Sequence, residues 1–246
     1  MKSPNRAIIL AAGQGKRLLP LTESRPKCLI ELSGRSLLAW QLLRLQAAGV
    51  DEVVIVTGFR ADAVEAEVRS LNLKMPVRLA FNPFYTVSDN TASCWIVRGE
   101  FDRDVLILNG DTLFGPGVAE RLLAAPEADI TVTIDRKPSY DADDMKVLTE
   151  DGKLRAIGKT IEAYDAESIG FLRFSAAGAA RFAAGVEHVL QSPEGLRRWY
   201  LSVIDELAHS GVDVRVCSIE ELEWGEMDFP QDVDSLNRLS ADWTAP

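Results

Sequence analysis

The sequence has few cysteines and histidines and too little positive charge to balance its acids, and each shortage excludes a class of protein. The three cysteines, Cys28, Cys94 and Cys217, lie far apart with no metal-ligand spacing, so they indicate no disulfide framework, and reduced thiols are expected. The two histidines, His188 and His209, fall in amphipathic helical stretches and are assigned no catalytic role. A net charge of −10 disfavours an extended nucleic-acid-binding surface, which requires a basic face.

Long apolar runs are also lacking. No run approaches the roughly 20 residues that cross a bilayer, and the run that follows residues 1–6 is too short for a secretory signal. The sequence therefore predicts a cytoplasmic protein with no membrane partner. With 246 residues, 47% of them hydrophobic, the chain is long enough to bury a full core, and it shows neither internal repeats nor low-complexity linkers. We expect a single domain over residues 1–246.

The strongest positive feature is an apolar run that leads into a turn of small residues and then into cations. The turn region comprises Leu10, Ala11, Ala12, Gly13, Gln14 and Gly15, and the cations that follow are Lys16, Arg17 and, further on, Lys27. Small side chains allow backbone N–H groups to approach a ligand closely, and such a nest of amides suits phosphate oxygens. A turn of small residues alone fits an ordinary strand-to-loop connection equally well. Arg17 and the Pro26-Lys27 pair favour a nucleoside triphosphate site.

Two better-known phosphate motifs are excluded. The dinucleotide pattern Gly-x-Gly-x-x-Gly fails because Leu18 occupies the position of the third glycine. The Walker pattern fails because Gly15-Lys16 is followed by Arg17 rather than serine or threonine, and because Leu10 stands where the first glycine belongs.

The combination Leu10-Ala11-Ala12-Gly13-x-Gly15-x-Arg17-Leu18 with Pro26-Lys27 resembles the signature of the sugar-phosphate and choline-phosphate nucleotidyltransferases, which have the MobA-like NTP transferase fold. Those enzymes join a nucleoside monophosphate to a phosphorylated acceptor and release pyrophosphate. The resemblance covers about residues 6–238. It implies a Rossmann-like, GT-A-like three-layer α/β/α fold with a mixed, mainly parallel sheet and a small acceptor-binding β-subdomain. Residues 6–135 would form the nucleotide-binding half and residues 136–238 the acceptor-binding half.

The hydrophobic pattern agrees with an α/β fold. A helix is predicted at 36–48, capped by Ser36 and ended by Gly49. A second helix is predicted at 62–70. Strands are predicted at 53–56, 77–81 and 105–109. Strands that alternate with helices imply a parallel sheet covered on both faces. Ligands of such sheets bind at the carboxyl ends of the strands, where the opening loop lies. Further strands are predicted at 130–134, 154–157, 166–174 and 212–218, and further helices at 176–184, 197–209 and 232–239.

A polar segment at 82–93 follows the third strand. Asn82, Ser88 and Asn90 could hydrogen-bond a nucleobase, or the segment could serve turn and capping chemistry, with Asp89 or Asn90 capping a helix at 91–98. Both interpretations stay open, and one residue can do both. The phosphocholine cytidylyltransferases carry a similar asparagine-rich segment here, whereas sugar enzymes that use UTP or dTTP usually carry a glycine-rich one. The absence of glycine at 82–93 favours CTP.

A metal site is expected at two acidic positions. The strand at 105–109 delivers Asp111 at its carboxyl end, where a carboxylate suits Mg²⁺, although Asn-Gly and Gly-Asp pairs are also common in turns. The resemblance implies that Asp111 is a metal ligand and that Asp228, in the segment 224–232, is the second. An acidic turn before the last helix is the alternative for Asp228. Met227 replaces the isoleucine that is typical of relatives.

The acceptor-binding half contains a hairpin with an Asp-Gly turn at 150–153. The resemblance implies that Lys159, and less firmly Lys146, contact the acceptor's phosphate and that Glu167 faces the acceptor. The acidic stretch 141–144, which includes Asp144, could hold a cationic group or a second metal, or form a solvated loop. Trp199 could stack on the acceptor or join an aromatic cage for a quaternary ammonium, although core packing is the commoner outcome. Glu226 would assist the metal or contact the acceptor.

The implied reaction is in-line attack of an acceptor phosphate on the α-phosphorus of the triphosphate. Arg17 and Lys16 would hold the β and γ phosphates, Lys27 would stabilise charge at the α-phosphate, and Mg²⁺ would be the cofactor. We expect transfer of CMP from CTP to a small phosphomonoester such as phosphocholine. The alternatives are a sugar-1-phosphate nucleotidyltransferase using UTP, dTTP or GTP, and a non-catalytic nucleotide-binding subunit. Nucleic acid is not an expected partner, and a homodimer is left open.

Overall fold

The computed structural model describes residues 6–244 and is built on a nine-stranded mixed sheet. The strands are β1 (Arg6–Ala11), β2 (Glu31–Leu32), β3 (Arg35–Ser36), β4 (Glu52–Thr57), β5 (Val77–Phe81), β6 (Val105–Asn109), β7 (Thr112–Phe114), β8 (Ile130–Asp135), β9 (Lys146–Glu150), β10 (Lys153–Gly158), β11 (Ala166–Phe174), β12 (Val214–Ser218) and β13 (Trp224–Glu226). The helices are α1 (Leu37–Ala47), α2 (Ala61–Ser70), α3 (Asn90–Ile96), α4 (Val118–Ala124), α5 (Ala176–Leu190), α6 (Leu201–His209) and α7 (Pro230–Ser240).

The sheet has two parts of different character. Its strand order is β5-β4-β1-β6-β11-β8-β12-β10-β9, and β5, β4, β1 and β6 are mutually parallel. From β11 onward the pairing is mixed: β11 runs antiparallel to β6 and β8, β12 is parallel to β8, and β10 is antiparallel to both β12 and β9. The predicted mixed sheet is therefore confirmed, and its parallel pairing lies mainly in the first half of the chain.

The core lies in two layers, one on each face of the sheet. Side chains alternate between faces along each strand, so Ile8, Val54 and Ile107 pack with α3, α5 and α6. Their neighbours Ile9 and Ile55 pack with α1, α2 and α4 on the other face. This arrangement is the expected three-layer α/β/α sandwich. Within residues 6–244, every helix is too short or too polar to traverse a lipid bilayer.

Several predicted boundaries are confirmed at the level of single hydrogen bonds and dihedrals. Ser36 caps α1 because its hydroxyl accepts from the Ala39 N–H at 3.0 Å. Gly49 ends the helix with a φ of 84°. Asp151 and Gly152 have φ angles of 52° and 74°, the left-handed pair that a two-residue hairpin turn needs.

The predicted helix at 197–209 is too long. The helix α6 begins at Leu201, and Gly195–Arg197 forms a separate short 3-10 turn. As a result Trp199 lies outside the helix with 41% of its surface exposed, while Tyr200 is fully buried in the core. Apolar periodicity alone could not separate the two, because an irregular segment can place alternate side chains in and out of a core as well as a helix can.

Gly110 allows the end of β6 to lie directly against β1. Its N–H donates to the Leu10 carbonyl at 3.0 Å, and a Cβ at this position would lie 2.7 Å from that oxygen and 2.9 Å from the Ala11 Cα. Because these are backbone atoms of a buried central strand, they can move away from an added Cβ only at a cost in packing and hydrogen bonding. Gly110→Ala is therefore expected to lower the free energy of unfolding by about 1–3 kcal/mol, measured by urea denaturation.

The control is Gly99→Ala, since a Cβ at Gly99 meets nothing within 4 Å. It is expected to change stability by less than about 0.5 kcal/mol. Equal losses of stability at the two positions would show that a Cβ at position 110 does not clash with the backbone of β1.

Candidate active site

Lys27 lies at the centre of a cluster of acids from distant parts of the chain. Its ammonium donates to Asp111 Oδ2 at 2.8 Å and to Asp228 Oδ1 at 2.7 Å. Asp228 also pairs with Arg17, whose guanidinium is 2.9 Å from the same oxygen. The structure thus brings together the four residues that the sequence analysis singled out for catalysis.

The two acids meet because two short strands pair beside the main sheet. Strand β7, which follows Asp111, is antiparallel to β13, which precedes Asp228, with Thr112 opposite Glu226. The Met227 N–H then donates to the Asp111 carbonyl at 3.1 Å. Met227 itself is fully buried and packs in an apolar cluster with Leu18 and Leu113, so it anchors this segment.

Opposite charges dominate the electrostatics of this cluster. Burial alone would lower the pKa of Lys27, but attraction by Asp111 and Asp228 outweighs it, and the pKa is raised. Burial would raise the pKa of Asp228, but Lys27 and Arg17 outweigh it, and the pKa is lowered. Each group is therefore held in its charged form at neutral pH.

Glu226 behaves differently from the other acids. Burial raises its pKa to about 8, and the negative charges of Asp111 and Asp228 add to the effect. Its carboxylate makes no hydrogen bond or ion pair within residues 6–244, whereas Asp111 and Asp228 both hold Lys27.

The site fits a hard divalent cation. Asp111 Oδ1 is buried and has no hydrogen-bond partner within the described part of the chain, and Asp228 brings a second carboxylate to the same ammonium. Mg²⁺ is commonly held by one or two carboxylates together with substrate phosphates rather than by a full protein cage. Residues 6–244 contain no cluster of three or more histidine, cysteine or acidic side chains arranged as metal ligands.

A cavity of about 350 Å³, here called the loop cavity, opens beside Lys27. Among the predicted nucleotide-binding and catalytic residues, those that line it are Leu10, Ala11, Ala12, Gly13, Gly15, Arg17, Lys27, Asn82, Ser88, Asn90 and Asp111. Gly15 has a φ of 79°, and a Cβ there would lie 2.8 Å from the Lys27 Cβ, so the loop passes over Lys27 only because the residue is glycine. Gln14 and Lys16 do not line the cavity: Gln14 donates to the Thr22 carbonyl at 3.1 Å, and Lys16 is exposed.

The 82–93 segment shows the turn chemistry that was one of its two interpretations. Asn82 accepts from the Phe84 N–H at 2.8 Å, and Ser88 donates to the Phe84 carbonyl at 2.8 Å. Asn90 accepts from the Tyr200 N–H at 2.9 Å, and Asp89 precedes α3 without a side-chain capping bond. The same side chains line the loop cavity, and the Asn90 Nδ2 donates to no residue within 6–244, so turn chemistry does not remove them from the site.

A second cavity of about 520 Å³, the acidic cavity, is lined by Asp228. Its lining includes Asp144, Glu167 and Glu226. Lys137 bridges two of these acids, with Nζ 2.8 Å from Asp144 Oδ2 and 2.9 Å from Glu167 Oε2. Burial raises the pKa of Glu167 to about 7 against the opposing pull of Lys137.

Two of the remaining predicted acceptor residues line a smaller space between these cavities, and one does not. The junction cavity, of about 130 Å³, is lined by Lys159, Trp199 and Arg17 among others. The Lys159 ammonium lies 4.7 Å from the Trp199 ring centroid and 3.6 Å from Asp143 Oδ1. Lys146 is buried, and its ammonium donates to the carbonyls of Asp141 and Lys159 at 2.6 and 3.2 Å, which places it beneath the site rather than in it.

Sequence reasoning missed two residues that shape the site. Lys137 gave no signal, because its partners are distant in the chain. Gln41 could have been found, since it is a lone amide on the apolar face of α1. It is 1% exposed, and its Nε2 donates at 2.8 Å to both the Asn109 and the Thr112 carbonyls, which flank the turn bearing Asp111.

Gln41→Leu is expected to lower the free energy of unfolding by about 1–3 kcal/mol, because it takes a hydrogen-bond donor away from both carbonyls that flank the turn. The turn at Asp111 should also exchange its amide hydrogens faster. Gln191→Leu, at an exposed position after α5, is the matched control and should be near neutral. If both variants had the same stability and exchange rates, the amide would not be holding the turn.

The sequence is 34% identical to the CMP-5'-(3-aminopropyl)phosphonate synthase of Streptomyces rubellomurinus over 243 residues, which cover 93% of this chain and 38% of that protein. It is 25% identical to the CTP:phosphoglutamine cytidylyltransferase of Campylobacter jejuni, covering 93% of this chain and 97% of that protein. The chain therefore spans about two fifths of the first relative and nearly all of the second.

The fold is similar to that of a solved inositol-1-phosphate CTP transferase from T. maritima, with a TM-score of 0.82, 20% identity and 99% coverage of both chains. This likeness confirms the predicted Rossmann-like α/β fold. The sequence also matches the MobA-like NTP transferase domain over residues 7–200, which span the loop cavity, Lys27 and Asp111. The expected kinship with the nucleotidyltransferases is thus confirmed, and the chain belongs to the MobA-like NTP transferase domain family.

Proposed function

We propose that this protein transfers CMP from CTP to a small phosphorylated acceptor and releases pyrophosphate. The observation that carries the proposal is the position of Lys27, which is held between Asp111 and Asp228 at the edge of the loop cavity. A protein that only bound a nucleotide would not require two acids and a buried lysine at the point where the α-phosphate would lie.

The choice of CTP is supported by the relatives and by the 82–93 segment. The three proteins compared above are named for CMP or CTP. The segment that lines the loop cavity contains no glycine and presents Asn90 Nδ2 as an unbonded donor. Such a donor can bond the O2 carbonyl that all pyrimidines share, and the apolar Leu10 and Ala12 provide a surface for the ring. These contacts favour a pyrimidine, and the choice of cytosine rests on the relatives.

The positions of Lys27 and Arg17 indicate how the reaction would proceed. An oxygen of the acceptor's phosphate attacks the α-phosphorus in line, and the bond from the α-phosphorus to the bridging oxygen of pyrophosphate breaks. A phosphate dianion is already nucleophilic, so no general base is required. Catalysis then consists of positioning and charge neutralisation. Lys27 donates to the α-phosphate oxygen on which charge develops, and Arg17 holds the leaving pyrophosphate.

Asp111 and Asp228 would hold Mg²⁺, which when bound would neutralise negative charge on the phosphates. On this proposal residues 6–135 supply the triphosphate cradle. Residues 136–238 supply Lys159 and the acidic cavity on the acceptor side, together with the second acid, Asp228. Lys16 has no direct role here, since it is exposed and outside the loop cavity.

The test is a pyrophosphate-release assay with Mg²⁺, four triphosphates and a panel of acceptors that includes phosphocholine, 2-aminoethylphosphonate, inositol 1-phosphate and glucose 1-phosphate. We expect turnover to be fastest with CTP and to cease with EDTA. Faster turnover with UTP, dTTP or GTP and a sugar 1-phosphate would replace the proposal with the sugar-nucleotide alternative. Binding of CTP without release of pyrophosphate from any acceptor would instead indicate a binding subunit.

A further inference from the structure

We propose that Asn109 and Ser168 bind the attacking phosphate of the acceptor, and that both donate hydrogen bonds to its non-bridging oxygens in the junction cavity. The inference rests on the proposed function, because it assigns further residues to the acceptor side of the same site. The ligand chemistry is a tetrahedral oxyanion, which a phosphomonoester and a phosphonate share. These two side chains recognise the oxyanion and not the organic group attached to it.

The first support is an amide side chain that makes no hydrogen bond. Asn109 ends β6 and lines both the loop cavity and the junction cavity. Its Oδ1 is buried without a partner, and its Nδ2 donates to no residue within 6–244, although its backbone carbonyl is bonded to Gln41. Buried polar groups normally have partners. An amide without one, placed where two cavities meet, indicates a donor that is kept for a ligand.

The second support is a buried serine whose hydroxyl hydrogen has no acceptor in the protein. Ser168 is 3% exposed and lines the junction cavity. Its Oγ accepts from the Gly170 N–H at 3.2 Å, and this bond orients the hydroxyl. The hydroxyl donates to no residue in the part of the chain that the structure describes. Because a hydroxyl can accept and donate at once, one donor remains for whatever occupies the cavity.

Gly170 brings these two side chains together. The pairing of β11 with β8 shifts between Ser168 and Leu172, and Gly170, inside this bulge, has a φ of 69°. A Cβ at position 170 would overlap the Asn109 Nδ2, so the amide occupies the space that any other residue would fill with its own side chain. Bulges beside active sites commonly redirect side chains. Here the bulge places the Ser168 hydroxyl and the Asn109 amide around one glycine.

The two donors lie on the acceptor side of the site rather than on the nucleotide side. Among the described residues, Ser168 and Gly170 line the junction cavity but not the loop cavity, and the Asn109 Nδ2 is packed against Gly170. The junction cavity is also the smallest of the three, so it suits a compact phosphate group rather than a nucleoside. The phosphate that would occupy it is therefore the one that attacks.

The charges in the junction cavity are compatible with an anion. Arg17 and Lys159 line it, and Asp143 pairs with both of these cations at 3.5 and 3.6 Å. The two acids proposed to hold Mg²⁺ also line it and are ion-paired with Lys27. The fourth acid, Glu226, is shared with the acidic cavity. A phosphate dianion accepts hydrogen bonds and donates none, so cations together with neutral donors are the partners it needs.

Asn109→Leu is the main test, because leucine has nearly the same shape as asparagine and no polar side-chain atoms. We expect the variant to melt at the wild-type temperature or above, since it removes a buried oxygen that has no partner. It should nonetheless lower kcat/KM for the acceptor about tenfold or more, the effect of losing a hydrogen bond to a charged group, while the KM for CTP changes little. Asn72→Leu, at an exposed position outside the three cavities, is the matched control and should keep wild-type activity.

Two further readouts identify the phosphate as the group that is bound. The loss of kcat/KM should be the same for every acceptor in the panel, since all of them share the oxyanion. Calorimetry with inorganic phosphate, on protein saturated with Mg²⁺ and α,β-methylene-CTP, should show saturable binding whose dissociation constant rises about tenfold or more in Asn109→Leu. Ser168→Ala should weaken phosphate binding and lower kcat/KM in the same direction.

A lower melting temperature with unchanged kcat/KM would show that the amide is structural and would overturn the inference. A rise in the KM for CTP alone would assign the donors to the nucleotide, and a loss that differs between acceptors would assign them to the organic group. Unchanged phosphate affinity in the variants, or no saturable phosphate binding by the wild type, would overturn it as well. If no acceptor gave turnover, the proposed function would fail, and the calorimetry would decide the inference by itself. Should Asn109→Leu not fold, Ser168→Ala decides in its place.

Discussion

Lys27→Met is expected to lower kcat for pyrophosphate release by about a thousandfold, the effect of removing one donor that stabilises developing negative charge. The lysine is the donor nearest to both acids, with contacts of 2.8 and 2.7 Å, and it lines the cavity in which the triphosphate would bind. Methionine keeps the volume and removes the charge. The loss should therefore appear in kcat more than in the KM for CTP, since Arg17 and the loop amides remain.

The same substitution should change how stability depends on pH. Lys27 is a main cause of the lowered pKa of Asp228, where burial works in the opposite direction. A carboxylate with a lowered pKa stabilises the fold above its ordinary pKa and loses that contribution as the pH falls through the lowered value. The wild type is thus expected to lose more stability than Lys27→Met as the pH falls below about 4, measured by urea denaturation at several pH values.

Lys74→Met is the matched control, because Lys74 is exposed and lines neither the loop cavity, the acidic cavity nor the junction cavity. It removes the same charge from the protein and should leave both kcat and the pH dependence unchanged. A loss of kcat in Lys27→Met of less than about tenfold would mean that Lys27 is not in contact with the reacting phosphate.

The fold could be predicted because its signals are local. Alternating apolar side chains on β1, β4 and β6 mark strands that are buried on both faces, and the Ser36 cap and the Asp151-Gly152 turn depend on residues adjacent in the chain. The resemblance to a known family extended this to the three-layer order. What failed was local irregularity, as in the break between Arg197 and Leu201, where packing of Tyr200 into the core overrides the helical pattern.

The site was predictable only in part, because its parts are contributed by contacts between distant residues. Asp111 was recognisable from its place after a buried strand, and Asp228 from resemblance alone. Lys146 carried the same chemical signal as Lys159, but its ammonium is directed to two backbone carbonyls. No pattern in the sequence distinguishes a lysine bonded to carbonyls from one that faces a cavity. The acid pair held by Lys137 was hidden for the same reason.

Asp111→Asn is expected to reduce kcat by about a thousandfold, a loss of several kcal/mol of charge stabilisation. Asparagine retains the shape and one oxygen but not the negative charge that a divalent cation requires. The fold should tolerate the change. Asp111, Asp228 and Glu226 repel one another, and the charge of Asp111 is one cause, after burial, of the raised pKa of Glu226. Removal of that charge relieves the repulsion and also weakens the ion pair with Lys27. The two effects oppose each other, so the inactive variant should melt close to the wild-type temperature.

The decisive measurement is therefore not activity. In the wild type, Mg²⁺ added in the presence of CTP should raise the melting temperature in a saturable way, because a ligand that binds only the folded state stabilises it. Asp111→Asn should lose this Mg²⁺-dependent shift while retaining some shift with CTP alone. Asp151→Asn is the control, since Asp151 lies in the hairpin turn at a φ of 52° that asparagine tolerates, and it removes an equal charge. If Asp111→Asn kept the full Mg²⁺ effect, the metal would be held elsewhere, and the acids around Lys27 would serve only to position the lysine.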